Sequence, residues 1–416
     1  MLFKSASSAL LGIEAYVVEV EVDIGAGLPD FIIVGLPDPS VRESKERVRA
    51  ALKNCGYDFP SRKVTVNLAP AALRKEGPAF DLSIALGHLA YLDIIPAGAG
   101  KDLLFMGELA LDGRLKPVKG TLSAALCAKE KGFRGIVVPA ENAREASLVG
   151  GVEVFALGNL VQAVEHLTVP GKIPPCAFKP EDLFIRAAHE LDFKDVKGQY
   201  HVKRALEVAA AGGHNILLVG PPGSGKTMLA VRLPSILADM TFDEVIETMQ
   251  IYSAAGLLGG RGASLERPFR APHHSISVPG LIGGGIIPRP GEVSLAHRGV
   301  LFLDELPEFP RAALEGLRQP MEDGRAAIAR VSMHVTFPSS FMLVAAMNPC
   351  ADVLRGGGRD ADCTEAERSK YYGRLSGPLL DRIDIQVEVP AVKFQELIVK
   401  GDGESSGDIR ERVDRA

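Results

Sequence analysis

Two hydrophobic periodicities alternate in the first part of this chain of 416 residues. Residues 15–22 and 63–68 alternate apolar with polar side chains, which is typical of strands that bury one face. Residues 39–54 repeat apolar side chains at helical spacing, and Asp38 stands before them as a predicted N-cap. This part of the chain is therefore predicted to be an α/β domain.

The second part has a different pattern. Residues 215–219, 299–303 and 341–347 are apolar apart from Asn215 and predict strands buried in a sheet. Residues 228–238 follow the first of these runs and predict a helix. Strands with few polar positions are typical of parallel sheets covered by helices, so a second α/β domain is predicted here.

Prolines and glycines separate the two predicted domains. They cluster between residues 170 and 180, which predicts a linker over residues 169–183. The domains are then residues 1–168 and 184–395. A polar, glycine-rich loop and the beginning of a charged helix follow, and the family resemblance described below implies that residues 396–416 are the start of a truncated C-terminal lid.

Composition narrows the function classes. The chain is 46% hydrophobic and 24% charged, which is ordinary for a globular protein, and its net charge of −5 predicts no bulk attraction to nucleic acid or anionic lipid. No apolar run is long enough for a membrane span, and no secretory signal is predicted. The five scattered cysteines predict no disulfide framework and fit a reducing compartment, so a cytoplasmic protein without a membrane partner is expected.

An octet after residues 215–219 carries the strongest chemical signal. It reads Gly220, Pro221, Pro222, Gly223, Ser224, Gly225, Lys226 and Thr227, which fits the phosphate-binding P-loop. The glycines let backbone N–H groups surround phosphate oxygens. Lys226 is predicted to reach the β- and γ-phosphates of ATP, and Thr227 to bind Mg²⁺. The alternative is a plain Gly-Pro turn before a helix.

Polar residues also end the other two apolar runs. Asp304 and Glu305 follow residues 299–303, where Asp304 can hold Mg²⁺ and Glu305 can deprotonate the attacking water. Asn348 follows residues 341–347 and can hydrogen-bond the γ-phosphate or that water. A charged strand end and an Asn-Pro turn are the ordinary alternatives. The presence of the P-loop favours the catalytic interpretation.

Arg382 admits two interpretations. It can be an arginine finger that reaches the γ-phosphate of a neighbouring subunit and stabilises transition-state charge. It can also form a surface salt bridge with Asp381 or Asp384, and the spacing alone favours this salt bridge.

These residues belong to a wider resemblance. The chain resembles the Mg-chelatase-like AAA+ ATPases of the YifB/ComM family over nearly its whole length. The segments that carry the resemblance are residues 31–40 (FIIVGLPDPS), 195–199 (DVKGQ), 220–227, 269–281, 289–306, 345–350 and 375–390.

The resemblance implies roles for particular residues. Asn348 corresponds to the sensor 1 residue, Arg382 to a finger that acts in trans, and Val196 and Gly198 to positions beside adenine. Members of this family form ATP-dependent rings, which implies a homo-hexamer, and the ComM branch is linked to DNA branch migration in natural transformation.

Two segments are predicted to face the pore of such a ring. Residues 277–290, which include Arg289, resemble the hairpin inserted in helix 2 of this group of ATPases. Residues 324–338 alternate like a hairpin and carry Arg325 and Arg330. These arginines can contact the phosphates of a DNA strand, and ordinary solvated surface arginines are an equal alternative.

The N-terminal domain resembles the proteolytic domain of Lon, which has a ribosomal-S5-domain-2-like α+β fold. The position of Lon's nucleophilic serine is Ala79 here, and the position of its lysine is Leu122. A serine–lysine dyad needs both a hydroxyl and an amine, and Ser83 and Lys119 lie nearby but out of register. An interaction or DNA-engaging domain is therefore expected, followed by a P-loop AAA+ α/β domain.

Two groups of possible metal ligands have too few members in the sequence to predict a metal site. The family places four cysteines after the sensor asparagine, but this chain keeps Cys350 and Cys363 and has Asp352 and Ala361 at the other two positions. Four soft ligands would suit Zn²⁺, and two thiols do not. His273 and His274 have no third ligand nearby in the sequence, so a structural role is expected for them.

The predicted function is a ring-forming AAA+ ATPase that couples hydrolysis of ATP, with Mg²⁺, to remodelling or branch migration of single-stranded or branched DNA in transformation and recombination. A Mg-chelatase-type motor that remodels a protein partner is the first alternative. A Lon-like protease is the second alternative, and Ala79 and Leu122 argue against it. A nucleotide-binding regulator without turnover is the third, and Glu305 and Arg382 argue against that one.

Overall fold

The computed structural model describes residues 1–177, 184–185, 190–258, 263–285, 288–330, 333–350, 363–391 and 403–416. The chain divides into two compact units. The first contains Met1–Ile185 and Tyr252–Ala263, and the second contains Arg186–Ile251 and Ser264–Ala416.

A seven-stranded mixed sheet forms the first unit, with the strand order β3-β4-β2-β1-β5-β8-β9. Its strands are β1 (Leu2–Leu11), β2 (Glu14–Gly25), β3 (Asp30–Val34), β4 (Lys63–Ala69), β5 (Leu103–Phe105), β8 (Gly135–Pro139) and β9 (Glu153–Leu157). Three short strands lie outside this sheet: β6 (Glu108–Leu109) and β7 (Leu115–Lys116), which pair with each other, and β10 (Phe184–Ile185). Strand β1 pairs antiparallel with β2 and parallel with β5, so the sheet changes direction at its centre.

Helices pack against this sheet, and β8, whose five residues are all buried, is covered on both faces. The helices are α1 (Pro39–Asn54), α2 (Asp81–Tyr91), α3 (Thr121–Glu130), α4 (Ala143–Ser147) and α5 (Leu160–Thr168), with 3₁₀ turns at Pro78–Phe80 and Ala140–Asn142. Val18, Val20 and Val22 of β2 are almost fully buried against the core, as the period-two alternation predicts. The predicted cap of α1 is confirmed, because Asp38 Oδ1 accepts a hydrogen bond from Val41 N at 2.7 Å.

Five parallel strands form the sheet of the second unit, in the order β13-β16-β19-β11-β20. The remaining strands are β11 (Ile216–Val219), β12 (Ala263–Ser264), β13 (Phe269–Arg270), β14 (Gly283–Gly284), β15 (Arg289–Pro290), β16 (Val300–Leu303), β17 (Arg325–Arg330), β18 (Met333–Pro338), β19 (Met342–Met347) and β20 (Ile385–Glu388). All residues of β16 and β19 are buried, which confirms these two predicted strands as core strands.

The remaining helices pack around this second sheet or follow it. They are α6 (Tyr200–Gly212), α7 (Lys226–Ala230), α8 (Phe242–Ala255), α9 (Val278–Ile282), α10 (Glu292–Leu295), α11 (Arg311–Gly316), α12 (Arg318–Asp323), α13 (Glu365–Tyr372), α14 (Gly377–Leu380) and α15 (Ser406–Arg415), with 3₁₀ turns at Phe193–Asp195, Leu233–Ile236 and Leu306–Glu308.

The helix after the P-loop is shorter than predicted. The sequence predicts a helix over residues 228–238, but α7 ends at Ala230 and a 3₁₀ turn follows at Leu233–Ile236. Pro234 explains the difference, because it has no N–H to donate to the carbonyl of Ala230, four residues earlier.

Both predicted insertions contain a hairpin. Strands β17 and β18 pair antiparallel from Arg325 opposite Pro338 to Arg330 opposite Met333. Strands β14 and β15 pair Gly283 with Pro290 and Gly284 with Arg289. Within the described ranges, every helix is too short or too polar to cross a lipid bilayer.

Candidate functional site

Three parallel strands bring the candidate catalytic residues to one edge of the second sheet. Strand β19 pairs with β11 and with β16 in parallel register, so the residues that follow the three strands meet at their carboxyl ends. The P-loop follows β11, Asp304 and Glu305 follow β16, and Asn348 follows β19. The sequence had placed each group at the end of its own strand, and the sheet brings the groups together.

Glycine is required in the P-loop for two reasons. Gly223 and Gly225 have φ values of 76° and 92°, in the region that favours glycine. A Cβ atom at Gly220 would lie 2.1 Å from the carbonyl oxygen of Val389, so the strand and the loop approach too closely for a side chain. The loop is therefore held between its own turn and the end of β20.

Lys226 turns back onto the P-loop. Its side chain is mostly buried, and Nζ donates to the carbonyl oxygens of Gly220 at 2.7 Å and Pro221 at 2.9 Å. It also donates to Asn348 Oδ1 at 2.9 Å. These acceptors are neutral, and a charged phosphate oxygen would form a stronger bond with the ammonium group. The amine therefore lies where it can exchange these partners for a phosphate.

Thr227 and Asp304 fit a magnesium site. Thr227 Oγ1 donates to Asp304 Oδ2 at 2.7 Å. Adjacent ligands of an octahedral Mg²⁺, at about 2.1 Å from the ion, lie roughly 3 Å from each other. The two oxygens therefore have the spacing and the chemistry to share one Mg²⁺.

Glu305 is held in a strained backbone conformation next to Asp304. Its φ of 54° is unusual for a residue other than glycine, and its N–H donates to Asp304 Oδ1 at 2.9 Å. The carboxylate contacts His274, whose Nδ1 lies 3.2 Å from Glu305 Oε2. The two neighbouring carboxylates therefore have different side-chain partners, Thr227 for Asp304 and His274 for Glu305.

His273 and His274 pack against each other and against neighbouring side chains. The rings of His273 and His274 lie 4.0 Å apart, and His274 packs edge-on against Phe309. Among the described residues no group of three or more His, Cys, Asp or Glu side chains is placed to hold a metal ion. The sequence analysis missed the contact between His274 and Glu305, because nothing in the spacing of these residues indicates it.

Arg382 forms a salt bridge that the sequence did not predict. Its guanidinium group pairs with Glu322 of α12, and Nη1 donates to the carbonyl oxygen of Pro378 at 2.7 Å. The expected partner Asp384 instead accepts a hydrogen bond from the backbone N–H of Asn215 at 2.9 Å. The salt-bridge interpretation thus had the right kind of contact but the wrong partners, and Arg382 contacts its own subunit in this conformation.

The two residues expected beside adenine, Val196 and Gly198, differ in their accessibility. The Val196 side chain is fully buried in the core, and its carbonyl oxygen accepts a bond from Lys203 Nζ at 2.6 Å. Gly198 has a φ of 63° and lies in the adjoining turn. Contact of these two residues with the base remains a prediction, in which the backbone at Gly198 is the more accessible element.

Gln199 is a residue that the sequence analysis passed over. Its Nε2 donates to the carbonyl oxygens of Ser224 at 2.6 Å and Pro390 at 3.2 Å, and the side chain is buried. It therefore connects the P-loop to the end of β20. Its place in the DVKGQ segment was the available signal.

The candidate DNA-binding arginines lie on the two hairpins. Arg289 and Arg325 are exposed, whereas the side chain of Arg330 lies outside the described part of the structure. The hairpins are neighbours, because a Cβ atom at Gly283 would lie 2.9 Å from Ile328 Cδ1. Arginines from both insertions thus belong to one region of the second unit.

The Lon-like positions hold no catalytic dyad. Ala79 and Leu122 are buried and carry no catalytic group. Ser83 is fully buried on α2, and Lys119 is exposed. Neither the expected positions nor these two neighbours supply a hydroxyl and an amine to one accessible site.

Cys350 and Cys363 correct the expectation of free cysteines, because their sulfur atoms form a disulfide with a Cα–Cα distance of 6.4 Å. Both residues are buried in the hydrophobic core that packs against β19. Folding of this core brings together two cysteines separated by 13 positions. Asp352 and Ala361, which replace the family's other cysteines, lie outside the described residues.

Comparison with known proteins agrees with this arrangement. The family model of magnesium chelatase subunit ChlI matches residues 192–397, and a second model of the ChlI subunit of Mg-chelatase matches residues 20–142. The chain is similar to competence protein ComM of Haemophilus influenzae, with 45% identity over 410 residues that cover 98% of this chain and 80% of ComM. It is 44% identical to YifB of Escherichia coli over 97% of this chain and 79% of YifB. Lon protease 2 of Bacillus subtilis is 26% identical over 42% of this chain and 32% of that protein.

Proposed function

The chain belongs to the Mg-chelatase-like AAA+ ATPase family that includes ComM and YifB, and we propose that it is a ring-forming ATPase that remodels or branch-migrates DNA. The observation that carries the ATPase part is the meeting of Lys226, Thr227, Asp304, Glu305 and Asn348 at one sheet edge. ATP is the proposed substrate, with Mg²⁺ as its cofactor.

Each of these residues has a proposed role in hydrolysis. Lys226 would exchange its carbonyl partners for the β- and γ-phosphates, and Thr227 and Asp304 would hold Mg²⁺, which would supply positive charge against the phosphates. Asn348, which accepts a hydrogen bond from Lys226, would contact the γ-phosphate once Lys226 moves. Glu305 takes the proton of the attacking water.

In a homo-hexameric ring, a neighbouring subunit would supply a further positive charge to each ATPase site. We assign Arg382 as a finger that acts on the γ-phosphate of the neighbouring subunit, for which it must first leave Glu322. A contact in which one surface gives the finger and a different surface gives the nucleotide is head-to-tail, and such contacts close into rings.

DNA is the proposed substrate of the motor. The exposed Arg289 and Arg325, together with Arg330, would face the pore and contact phosphates. The name of the Haemophilus influenzae relative, competence protein ComM, supports a role in competence and transformation. The cytoplasm is the proposed location, since DNA and ATP are both available there.

A second candidate function is a motor that remodels a protein partner, as a magnesium-chelatase subunit would. The observation that favours it is that both matching family models carry the name of the ChlI subunit, one of them over the first unit. The two candidates share the ATPase site and differ in whether the hairpins contact DNA.

A salt series distinguishes the two candidates. Fluorescence anisotropy on single-stranded and branched DNA compares the full chain with a variant in which Arg289, Arg325 and Arg330 are all changed to Gln. We expect weaker binding to every sequence and a log–log salt slope reduced by about one per lost phosphate contact.

A control variant removes the same charge elsewhere. Arg114, Arg204 and Arg415 are 74%, 68% and 70% exposed and lie outside the hairpins, so their replacement by Gln should leave the slope nearly unchanged. If the hairpin variant keeps both affinity and slope, DNA binding at the hairpins is rejected and the protein-remodelling motor becomes the better candidate.

A further inference from the structure

The guanidinium group of Arg382 has partners for only some of its hydrogen-bond donors in the described part of the structure. One end of its guanidinium group pairs with Glu322 and another N–H donates to the Pro378 carbonyl oxygen. Its Nε is buried and has no hydrogen-bond partner in the described part of the structure. A buried donor without an acceptor is unfavourable, so this arrangement can be exchanged for one that satisfies all the donors.

Glu322 lies directly before one of the two arginine hairpins. It is in the last turn of α12, and Gly324 joins that helix to β17, whose first residue is Arg325. Gly324 has a φ of 63°, its N–H donates to the carbonyl oxygen of Pro320, and its own carbonyl oxygen accepts from Ser339. The helix end and the base of the hairpin are therefore firmly connected, and movement of the hairpin moves Glu322.

We propose that Glu322 is a positioning residue that holds Arg382 within its own subunit and releases it when DNA displaces hairpin β17–β18. The proposal rests on the proposed function, since it requires that Arg382 acts on a neighbour's nucleotide and that the hairpin contacts DNA. It makes Glu322 the link between DNA contact and ATP hydrolysis.

The contact is weak enough for such a release. The Arg382 and Glu322 side chains are 29% and 45% exposed, and half-exposed ion pairs shift an equilibrium by no more than about fivefold. A γ-phosphate offers a more highly charged acceptor than a single carboxylate. Loss of the Glu322 charge should therefore increase resting turnover modestly.

The test compares ATP turnover of the full chain with and without single-stranded DNA. Glu322→Gln keeps the size of the side chain and removes its charge. Asp323→Asn is the matched control, because it removes one negative charge from the next residue of the same helix. We expect Glu322→Gln to raise turnover without DNA by about two- to fivefold, to leave DNA-stimulated turnover near the wild-type value, and so to reduce the stimulation factor. Asp323→Asn should leave both rates near those of the wild type.

A double variant separates this role from a structural one. If Glu322 acts only through Arg382, the variant Glu322→Gln/Arg382→Ala should have the turnover of Arg382→Ala alone. Unchanged resting turnover in Glu322→Gln, or a loss as large as that of Arg382→Ala, would overturn the role of Glu322. If Arg382→Ala itself has no effect, the finger is rejected and the role of Glu322 with it.

Discussion

His88 supplies a quantitative test of how the first unit is built. It lies on α2, the helix that follows the Lon-like position Ala79, and its side chain is fully buried. The ring packs against both Phe31 and Phe59, with centroid distances of 5.7 and 4.9 Å, and these two phenylalanine rings also contact each other at 6.3 Å. Its Nε2 is buried without a hydrogen-bond partner in the described ranges. This environment is that of a core residue and not of a general base.

Burial lowers the pKa of His88 from 6.5 to about 4. Because the folded pKa lies below the unfolded one, the unfolded chain binds more protons between these two values. The contribution of neutral His88 to stability is complete above about pH 6.5 and is lost as the pH falls toward 4. The difference between the two pKa values corresponds to about 3 kcal/mol of unfolding free energy for the first unit.

The assay is hydrogen exchange of peptides that cover α2, measured between pH 4 and 7 in the wild type and in His88→Phe. Phenylalanine keeps the aromatic stack and does not titrate, so the difference between the two proteins isolates His88. The opening free energy of the wild type should fall by up to about 3 kcal/mol more than that of the variant. The same pH dependence in both proteins would refute the reasoning.

Two further predictions concern the ATPase site. Arg382→Ala and Lys226→Ala should each lower turnover strongly, by roughly 10³-fold for the finger, yet mixed rings should recover part of the activity, because each subunit type supplies what the other lacks. Absence of recovery, with subunit exchange confirmed, would count against a finger in trans. His274→Phe keeps the packing against Phe309 and removes the contact with Glu305, so turnover should change by no more than about fivefold; a loss of turnover as complete as that expected for Glu305→Gln would show that His274 takes part in the chemistry.

Local sequence signals predicted the local structure. Asp38 caps α1 as expected, because the cap and the helix are adjacent in the chain. The P-loop and the strand ends after β16 and β19 were also identified, since each depends on a short contiguous segment. The sequence predicted that α7 would end later than it does. The apolar periodicity continues past Pro234, but Pro234 has no backbone N–H and cannot form the helical hydrogen bond.

Contacts between distant segments could not be predicted in the same way. Glu322 and Arg382 are sixty positions apart and meet only when α12 and the segment after α14 come together in the folded chain. The Cys350–Cys363 disulfide likewise forms only because both cysteines pack into the core beside β19. His274 meets Glu305 because β13 and β16 are neighbours in the sheet, a fact that neither segment contains by itself.

The most direct test of the central claim compares nucleotide binding with turnover in Glu305→Gln of the full chain. The substitution leaves Lys226 and the Thr227–Asp304 pair in place, so ATP affinity, measured by titration calorimetry with Mg²⁺, should stay near that of the wild type. Turnover should fall by about 10²-fold or more, because glutamine cannot take the proton of water. Near-normal turnover in this variant, with ATP bound as tightly as before, would contradict Glu305 as the base and with it the proposed hydrolytic site.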